Sequence, residues 1–281
     1  MTDTATLLET PVRPVIHRSR GRGHGAITRL MSPGDLGEIL KPFVFLDLFD
    51  NGGERFPTFG LHPHSGLATL TYVAEGSVSY EDTNGATGIL RAGGVEWMRA
   101  GKGVWHSGGA GDPGRTRGFQ LWVALPPHLE LGASESHYQS AADIPAAGPA
   151  RVLLGRHEGA ASAIDAPSPI NYLAVALKAG ETWRYLPPAG HSVLWAGLGK
   201  GVVEASNQAL EAGEIVVFAP GEGAATFTAR TDAEFVLGSA APHPHDLVLG
   251  YYSVHTSPEA LRVGEARIEA IRATLEAKGR L

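Results

Sequence analysis

The sequence of 281 residues contains no cysteine. Disulfide bonds, thiolate nucleophiles and thiolate metal ligands are therefore excluded, and a reducing compartment suits the chain.

Basic clusters and long apolar runs are absent as well. Lysine and arginine number 23 against 29 aspartate and glutamate residues, for a net charge of −6, so a nucleic-acid-binding surface is not expected. No apolar run approaches the ~18 residues of a membrane-spanning helix, and the first residues lack the apolar core of a signal peptide. We therefore expect a soluble, cytoplasmic protein that binds neither nucleic acid nor membranes.

Turn-forming residues are abundant, with 37 glycines and 19 prolines. From Leu67 to Leu125 they separate a succession of short strand-like segments, and a second such block covers residues 171–241. Short strands at regular spacing are typical of antiparallel sandwiches and barrels. Residues 42–50 (PFVFLDLFD) also predict a buried strand, and we interpret Asp47 within it as a residue that caps a turn or accepts backbone hydrogen bonds.

The chain is predicted to end in a helix. Ser257 and Pro258 form a pair typical of the N-cap and the first helical position. They are followed by an apolar stripe made of Leu261, Ile268, Ile271 and Leu275. A stripe at this spacing predicts that the helix packs against a sheet.

An internal repeat is visible in the sequence. Residues 90–103 (LRAGGVEWMRAGKG) align without a gap with residues 210–223 (LEAGEIVVFAPGEG). Glycines match on both sides of a predicted strand and its turn, which indicates two copies of one β-barrel. We therefore predict an N-terminal barrel over residues 1–135 and a C-terminal barrel, ending in the helix, over residues 136–281.

Three histidines have spacing that predicts a metal site. His62 and His64 lie two residues apart in the string HPHSG, so a strand places their side chains on one face. His106 follows after a Gly-rich turn. Histidine is the commonest metal ligand, and three converging rings suit Fe, Cu, Zn, Mn or Ni.

The second copy of the repeat lacks these histidines. At the same offset His106 falls on Thr226. A separate match of Thr71-Tyr72 with Leu194-Trp195 places the HPH pair near Tyr185 and Pro187. A residue needed only for the fold would recur in both copies, so the site is predicted in the N-terminal barrel alone. The later string His243-Pro244-His245 has no third histidine after a Gly-rich turn, and we interpret it as an exposed connection.

Several strings resemble the pirin family, a branch of the cupin superfamily. They are FLDLF, HPHSG, TLTYVAEG, EDTNGATG, GGVEWMRAGKGVWHS and GFQLWVALP, followed by HDLVLGYYSVHTSPEAL near the C-terminus. The resemblance covers nearly the whole chain. It implies an all-β fold of two cupin-type jelly-roll barrels packed together, with one metal ion, usually iron, in the N-terminal barrel. The family's three metal histidines fall on His62, His64 and His106.

The chain departs from the family pattern at the fourth metal ligand. The family usually has a glutamate two residues after the third histidine, where this sequence has Gly108. Glu96 stands where the family usually has glutamine, and it is an alternative carboxylate ligand. A simple hairpin closing at residues 100–103 would place Trp97, rather than Glu96, on the face of His106. That geometry favours a structural hydrogen-bonding role for Glu96.

Three functions remain open from the sequence. Some pirins resemble quercetin 2,3-dioxygenases, which implies an oxidoreductase acting on a flavonoid-like molecule through a divalent metal, foremost Fe, with Cu, Mn, Ni or Zn as alternatives. Other pirins act with protein partners, which implies a non-enzymatic, metal-dependent regulator. The missing carboxylate implies a third possibility, a decayed site without metal, because three neutral imidazoles do not offset the charge of a divalent ion.

Overall fold

The computed structural model describes residues 11–281, in which the regular structure is mainly β-strand. The strands of the first half are β1 (Val15–Arg20), β2 (Arg22–His24), β3 (Ile27–Met31), β4 (Phe43–Asp50), β5 (Phe59–His64), β6 (Leu67–Glu75), β7 (Ser77–Asp82), β8 (Thr87–Arg91), β9 (Val95–Arg99), β10 (Val104–Ala110), β11 (Arg117–Ala124) and β12 (Glu135–Gln139). The strands of the second half are β13 (Ala146–Ala147), β14 (Ala150–Leu154), β15 (Arg156–His157), β16 (Ala160–Ala161), β17 (Ile170–Leu177), β18 (Thr182–Tyr185), β19 (Val193–Lys200), β20 (Val202–Ala205), β21 (Gln208–Glu211), β22 (Glu214–Phe218), β23 (Ala225–Ala229), β24 (Ala233–Ala240), β25 (Val248–Gly250) and β26 (Ser253–His255). The helical elements are α1 (Leu36–Ile39), a 3₁₀ helix (Ala141–Asp143) and α2 (Pro258–Ala277). No helix within residues 11–281 is long and apolar enough to cross a membrane.

Each barrel combines a seven-stranded sheet with a four-stranded sheet. The first barrel has the strand orders β12-β9-β6-β11-β4-β3-β2 and β5-β10-β7-β8. The second barrel has the orders β1-β22-β19-β24-β17-β14-β13 and β18-β23-β20-β21. The two sets correspond strand for strand, which confirms the predicted all-β fold of two cupin-type barrels and the internal repeat.

The segments matched in the sequence occupy equivalent places in the two barrels. Residues 90–103 include all of β9, and residues 210–223 include all of β22. Gly93 and Gly213 precede these strands with φ angles of 81° and 82°. Glycine is favoured in this left-handed region because it has no Cβ. The shared left-handed turn therefore explains why the sequence match has a glycine at residues 93 and 213.

Two strands tie the halves of the chain together. β1, near the N-terminus, pairs with β22 of the second barrel, with Arg18 opposite Val216. β12, which spans the predicted boundary at residues 135 and 136, pairs with β9 of the first barrel, with His137 opposite Trp97. The division into residues 1–135 and 136–281 stays a prediction, and β1 belongs to the second barrel by its pairing.

The largest apolar cluster among the described residues contains strands of both seven-stranded sheets. In this cluster Phe43 and Trp195 meet edge to face, with ring centroids 5.3 Å apart. Arg117 is almost fully buried and donates from Nη2 to Glu234 of the other barrel at 2.7 Å. Burial of each large apolar side chain stabilises the fold by about 1.5–3 kcal/mol, so the two barrels are held by one shared core.

Aromatic rings fill the second barrel. Those in its apolar cluster are Trp183, Tyr185, Phe218, Phe227 and Phe235. Tyr185, near which the HPH pair aligns, is buried, and its hydroxyl lies 2.7 Å from Ser239 Oγ. Thr226, aligned with His106, is only half-buried, whereas Ala225 and Phe227 on either side are buried. The second barrel thus has an aromatic interior and carries no histidine at Tyr185 or Thr226.

Helix α2 packs on the first barrel although it follows the second. Ser257 caps its first turn, as predicted, and the predicted apolar stripe is buried at Ile268 and Leu275. The indole Nε1 of Trp105 on β10 donates to the backbone oxygen of Ile268 at 2.9 Å. This bond ties the helix to the strand that carries the third histidine of the predicted site.

Candidate metal centre

The three predicted histidines converge in the four-stranded sheet of the first barrel. β5 pairs antiparallel with β10, so that His62 lies opposite His106 and His64 lies opposite Val104. The HPH pair shares one face of β5 because side chains alternate along a strand. One possible ligand nitrogen from each ring lies within 4.8 Å of the other two. The fold therefore brings together the three side chains that the sequence singled out.

Backbone carbonyls fix the orientation of two of these rings. Nδ1 of His62 donates to the oxygen of Gly60 at 2.8 Å, and Nδ1 of His64 donates to the oxygen of Tyr252 at 3.0 Å. A carbonyl oxygen only accepts, so each ring carries its proton on Nδ1 and leaves the Nε2 lone pair available. Nε2 of His64 lies 3.2 Å from Nε2 of His106. Outer partners of this kind orient metal-binding histidines.

Burial keeps the two rings of the HPH pair uncharged. Burial lowers the pKa of His62 to about 4, with a smaller contribution from the nearby His106. The pKa of His64 lies well below its usual value, again mainly through burial and then through His106 and His62. Near pH 7 both rings are therefore neutral. A neutral imidazole is the form that binds a metal.

A cavity of about 530 Å³ lies beside the histidines. Its walls are rich in aromatic residues, which are Phe45, Phe49, Phe56, Phe59, Tyr80, Trp122 and Tyr252. Phe45 and Trp122 stack with their ring centroids 4.1 Å apart. Cavities of ~300–1,000 Å³ accommodate small organic ligands, and flat aromatic walls favour a planar ligand.

Arg29 and Asp47 form an ion pair on the cavity wall that sequence analysis did not predict. The two residues lie opposite each other on β3 and β4, and Arg29 Nη2 donates to Asp47 Oδ2 at 3.2 Å. Burial raises the pKa of Asp47, and the hydrogen bond and charge of Arg29 oppose that increase. The interpretation of Asp47 as a turn cap or an acceptor of backbone hydrogen bonds was wrong, because its partner is a side chain on the neighbouring strand.

Glu96 faces the cavity from β9, and the predicted hairpin of β9 with β10 is wrong. β9 pairs with β6 and β12, whereas β10 pairs with β5 and β7. Residues 100–103 therefore connect two different sheets, and Trp97 lies in the core shared by the barrels. Oε2 of Glu96 accepts a hydrogen bond from Thr71 Oγ1 at 2.8 Å. Oε1 lies 3.9 Å from Nδ1 of His106.

Gly108 lies on β10 opposite Tyr80 and lines the same cavity. A Cβ atom built at this position has its closest contact with the oxygen of Ser79, at 3.4 Å. That distance is an ordinary van der Waals contact. Space is therefore available for a side chain at residue 108, and the absence of an acid there is not imposed by the fold.

The other histidine string lies apart from this site. His243 and His245 follow β24 in an irregular segment, as predicted for a connection, but His243 is buried and only His245 is exposed. The prediction of exposure was therefore wrong for His243. His255, to which the sequence assigned no role, lies with Nε2 3.0 Å from Ser65 Oγ and Nδ1 3.3 Å from Glu130 Oε2. These contacts hold β26 against the HPHSG segment.

Known proteins resemble this chain in sequence over most of its length. Residues 26–123 match the profile of the family described as Pirin. A pirin-like protein of Solanum lycopersicum is 31% identical over 262 residues, which covers 89% of this chain and 88% of the relative. This chain belongs to the pirin family. A Pseudomonas aeruginosa protein named as a candidate quercetin 2,3-dioxygenase is 34% identical to this pirin over 194 residues, 64% of this chain and 68% of the relative.

Solved structures share the fold of this pirin. Quercetin 2,3-dioxygenase from Acinetobacter baumannii has a TM-score of 0.83 at 24% identity, over 95% of this chain and 98% of that one. Bacterial pirin YhhW from Escherichia coli, in complex with nickel(II), has a TM-score of 0.63 at 20% identity, over 82% and 98%. At these identities the likeness establishes the fold.

Proposed function

We propose that this pirin binds one divalent metal ion through His62, His64 and His106 and acts as a dioxygenase of the quercetin 2,3-dioxygenase type. The observation that carries the proposal is the cluster of three histidine nitrogens on the wall of an aromatic-lined cavity. The proposed metal site is therefore adjacent to a cavity that could hold a planar substrate. The sequence relationship to the Pseudomonas protein supports the same reaction class.

The donor set fits a divalent transition metal. Imidazole nitrogens suit Fe, Cu, Ni and Zn, and three ligands leave coordination positions open. Such a metal, when bound, supplies Lewis-acid chemistry and orients reactants. We propose iron as the native metal because the family resemblance implies it, with Cu, Mn, Ni or Zn as alternatives. The nickel(II) complex of the E. coli pirin supports a divalent ion in this fold.

The residues of this chain bind and orient the substrate. Phe45 and Trp122, which stack on each other, provide an aromatic part of the wall for a flavonol ring system. Phe56 and Phe59, whose centroids are 6.2 Å apart, add a second aromatic wall segment. Apolar walls exclude water from the reacting atoms once a planar substrate fills the cavity. These features favour a hydroxylated aromatic substrate over a highly charged one.

Oxygen consumption with quercetin tests the proposal. The purified protein is loaded separately with Fe(II), Cu(II), Mn(II), Ni(II) and Zn(II) under matched conditions. We expect quercetin-dependent oxygen uptake with at least one redox-active metal, and its loss in His62→Ala. His243→Ala, which changes a buried histidine outside the site, is the matched control and should retain the activity. Absence of turnover in every metal form would contradict the proposed reaction.

A metal-dependent regulator is the second proposed function, favoured by one observation. The connection between β25 and β26 exposes Tyr251, which has 65% of its surface accessible, and the next residue, Tyr252, holds His64 through its carbonyl oxygen. A protein partner at this connection would therefore contact a segment that touches a metal ligand. A pull-down with wild type and His64→Ala, with and without chelator, tests this function. A capture yield that is the same in all four samples would contradict it.

A further inference from the structure

The carboxylate that the family pattern places at residue 108 is missing, yet an acid faces the histidines from another strand. Asp47 and Glu96 are the acidic residues lining the cavity. Asp47 is paired with Arg29. Glu96 is 4% exposed, and the imidazole of His106 lies 3.9 Å from its carboxylate. Glu96 is therefore the acid whose charge is left to act on the histidine cluster.

The hydrogen bonds of Glu96 leave one of its oxygens directed at His106. Thr71 Oγ1, which also lies 2.9 Å from Gln120 Oε1, donates to Oε2 at 2.8 Å on that side of the carboxylate. The Tyr138 hydroxyl lies 3.5 Å from Oε1 but 3.1 Å from Oδ2 of Asp82, so its single proton is better placed for Asp82. Oε1 lies 3.9 Å from Nδ1 of His106, about 1 Å longer than a hydrogen bond.

The three rings follow one pattern. Nδ1 of His62 and Nδ1 of His64 each face a carbonyl oxygen, and Nδ1 of His106 faces Glu96. Each ring therefore has an acceptor on the Nδ1 side. An acceptor at Nδ1 favours the tautomer whose Nε2 lone pair is available to a metal, and a carboxylate in this place also makes the ring a stronger donor.

We infer that Glu96 is the positioning carboxylate of this metal site and takes the place of the acid absent at Gly108. When a metal is bound it acts through His106, whose Nδ1–H would face Oε1 across 3.9 Å, and it supplies the negative charge that three neutral imidazoles lack. Because Glu96 is buried, that charge acts through a medium of lower dielectric constant than water. This inference rests on the proposed metal site.

Because a side chain can be accommodated at residue 108, the inference can be tested by moving the carboxylate from residue 96 to residue 108. The Cβ of a residue at 108 meets no atom closer than 3.4 Å, so Gly108→Glu can restore an acid on β10. Glu96→Gln removes the charge but keeps the side-chain length. Glu81→Gln is the matched control: Glu81 lies on β7 opposite Ser107, and its side chain is exposed and paired with Arg280.

The experiment measures Ni(II) affinity by calorimetry and the visible spectrum of the Co(II) form. We expect Glu96→Gln to weaken Ni(II) binding by about 10–100-fold and to shift the Co(II) bands. The double variant Glu96→Gln/Gly108→Glu should recover most of the affinity, and Glu81→Gln should bind as wild type does. Glu96→Asp provides a second variant with the same expected direction if Glu96→Gln does not fold, as checked by circular dichroism.

Two results would overturn the inference. The first is Ni(II) affinity in folded Glu96→Gln equal to that of wild type. The second is a double variant that stays as weak as Glu96→Gln, which would show that Glu96 does not replace an acid at residue 108. Failure of wild type itself to bind Ni(II) or Co(II) would instead contradict the proposed metal site.

Discussion

Nε2 of His64 and Nε2 of His106 lie 3.2 Å apart, on adjacent strands of one sheet. Nδ1 of His64 already donates its proton to Tyr252, so Nε2 of His64 accepts and Nε2 of His106 donates. A metal ion held by these rings would take the lone pairs of both nitrogens. His106 must then carry its proton on Nδ1, the side on which Glu96 lies. Metal binding and the Glu96 contact are therefore linked through one ring.

The first prediction concerns how the stability of the metal-free protein depends on pH. The pKa of His62 is about 4 in the fold against 6.5 as the reference for an exposed ring, so the unfolded chain binds more protons between these values. The free energy of unfolding is therefore greatest above pH 6.5 and falls as the pH decreases toward 4. The contribution of His62 is up to about 3 kcal/mol.

Urea denaturation at pH 7.5 and pH 4.5 with chelator measures this effect. His62→Gln removes the titrating ring and should lose less stability on acidification than wild type does. His245→Gln, at an exposed histidine, should behave as wild type. An equal loss in wild type and His62→Gln would show that His62 does not contribute.

The second prediction concerns Gly66 in the HPHSG string. Its φ is +75°, and a Cβ atom there would lie 2.0 Å from the oxygen of Val254 on β26. Gly66→Ala must displace this backbone, so we expect a loss of several kcal/mol, well above the ~1 kcal/mol typical of a strained φ alone. Gly85→Ala is the control, since Gly85 has a φ of +97° with no neighbouring atom within 4 Å. Equal midpoints of urea denaturation for the two variants would refute the expected clash.

The third prediction concerns the attachment of α2. Trp105→Phe removes the hydrogen bond from Nε1 to Ile268, which is worth about 1 kcal/mol, and should speed amide hydrogen exchange in α2. Trp97→Phe is a matched control, because the indole nitrogen of Trp97 is buried and has no hydrogen-bond partner among the described residues. It should destabilise the core without selective exchange in the helix. Uniform exchange changes in both variants would contradict a specific attachment through Trp105.

The histidine site and the barrels could be predicted because their signals are local. The alternation of strand side chains predicted that His62 and His64 lie on one face. Matching glycines on both sides of a strand revealed the repeat. The second barrel repeats the framework without the three histidines, and aromatic residues such as Tyr185 fill its interior. Neither inference depends on which distant strands pair.

The parts that could not be predicted depend on pairing between distant strands. Glu96 reaches His106 because β9 and β10 belong to different sheets, and a hairpin was the simpler expectation for strands joined by a short turn. Asp47 meets Arg29 only in the register of β3 with β4. Tyr252 reaches His64 from 188 residues away. One sequence contains no local signal for such contacts.

Metal content is the measurement that tests the central claim most directly. The protein, purified without chelator and after loading with Fe(II) or Ni(II), is examined by inductively coupled plasma mass spectrometry beside His106→Ala and His243→Ala. We predict about one metal ion per chain in wild type and His243→Ala, and none retained by His106→Ala. Wild-type protein that holds no metal after loading would contradict the account and would indicate a decayed site.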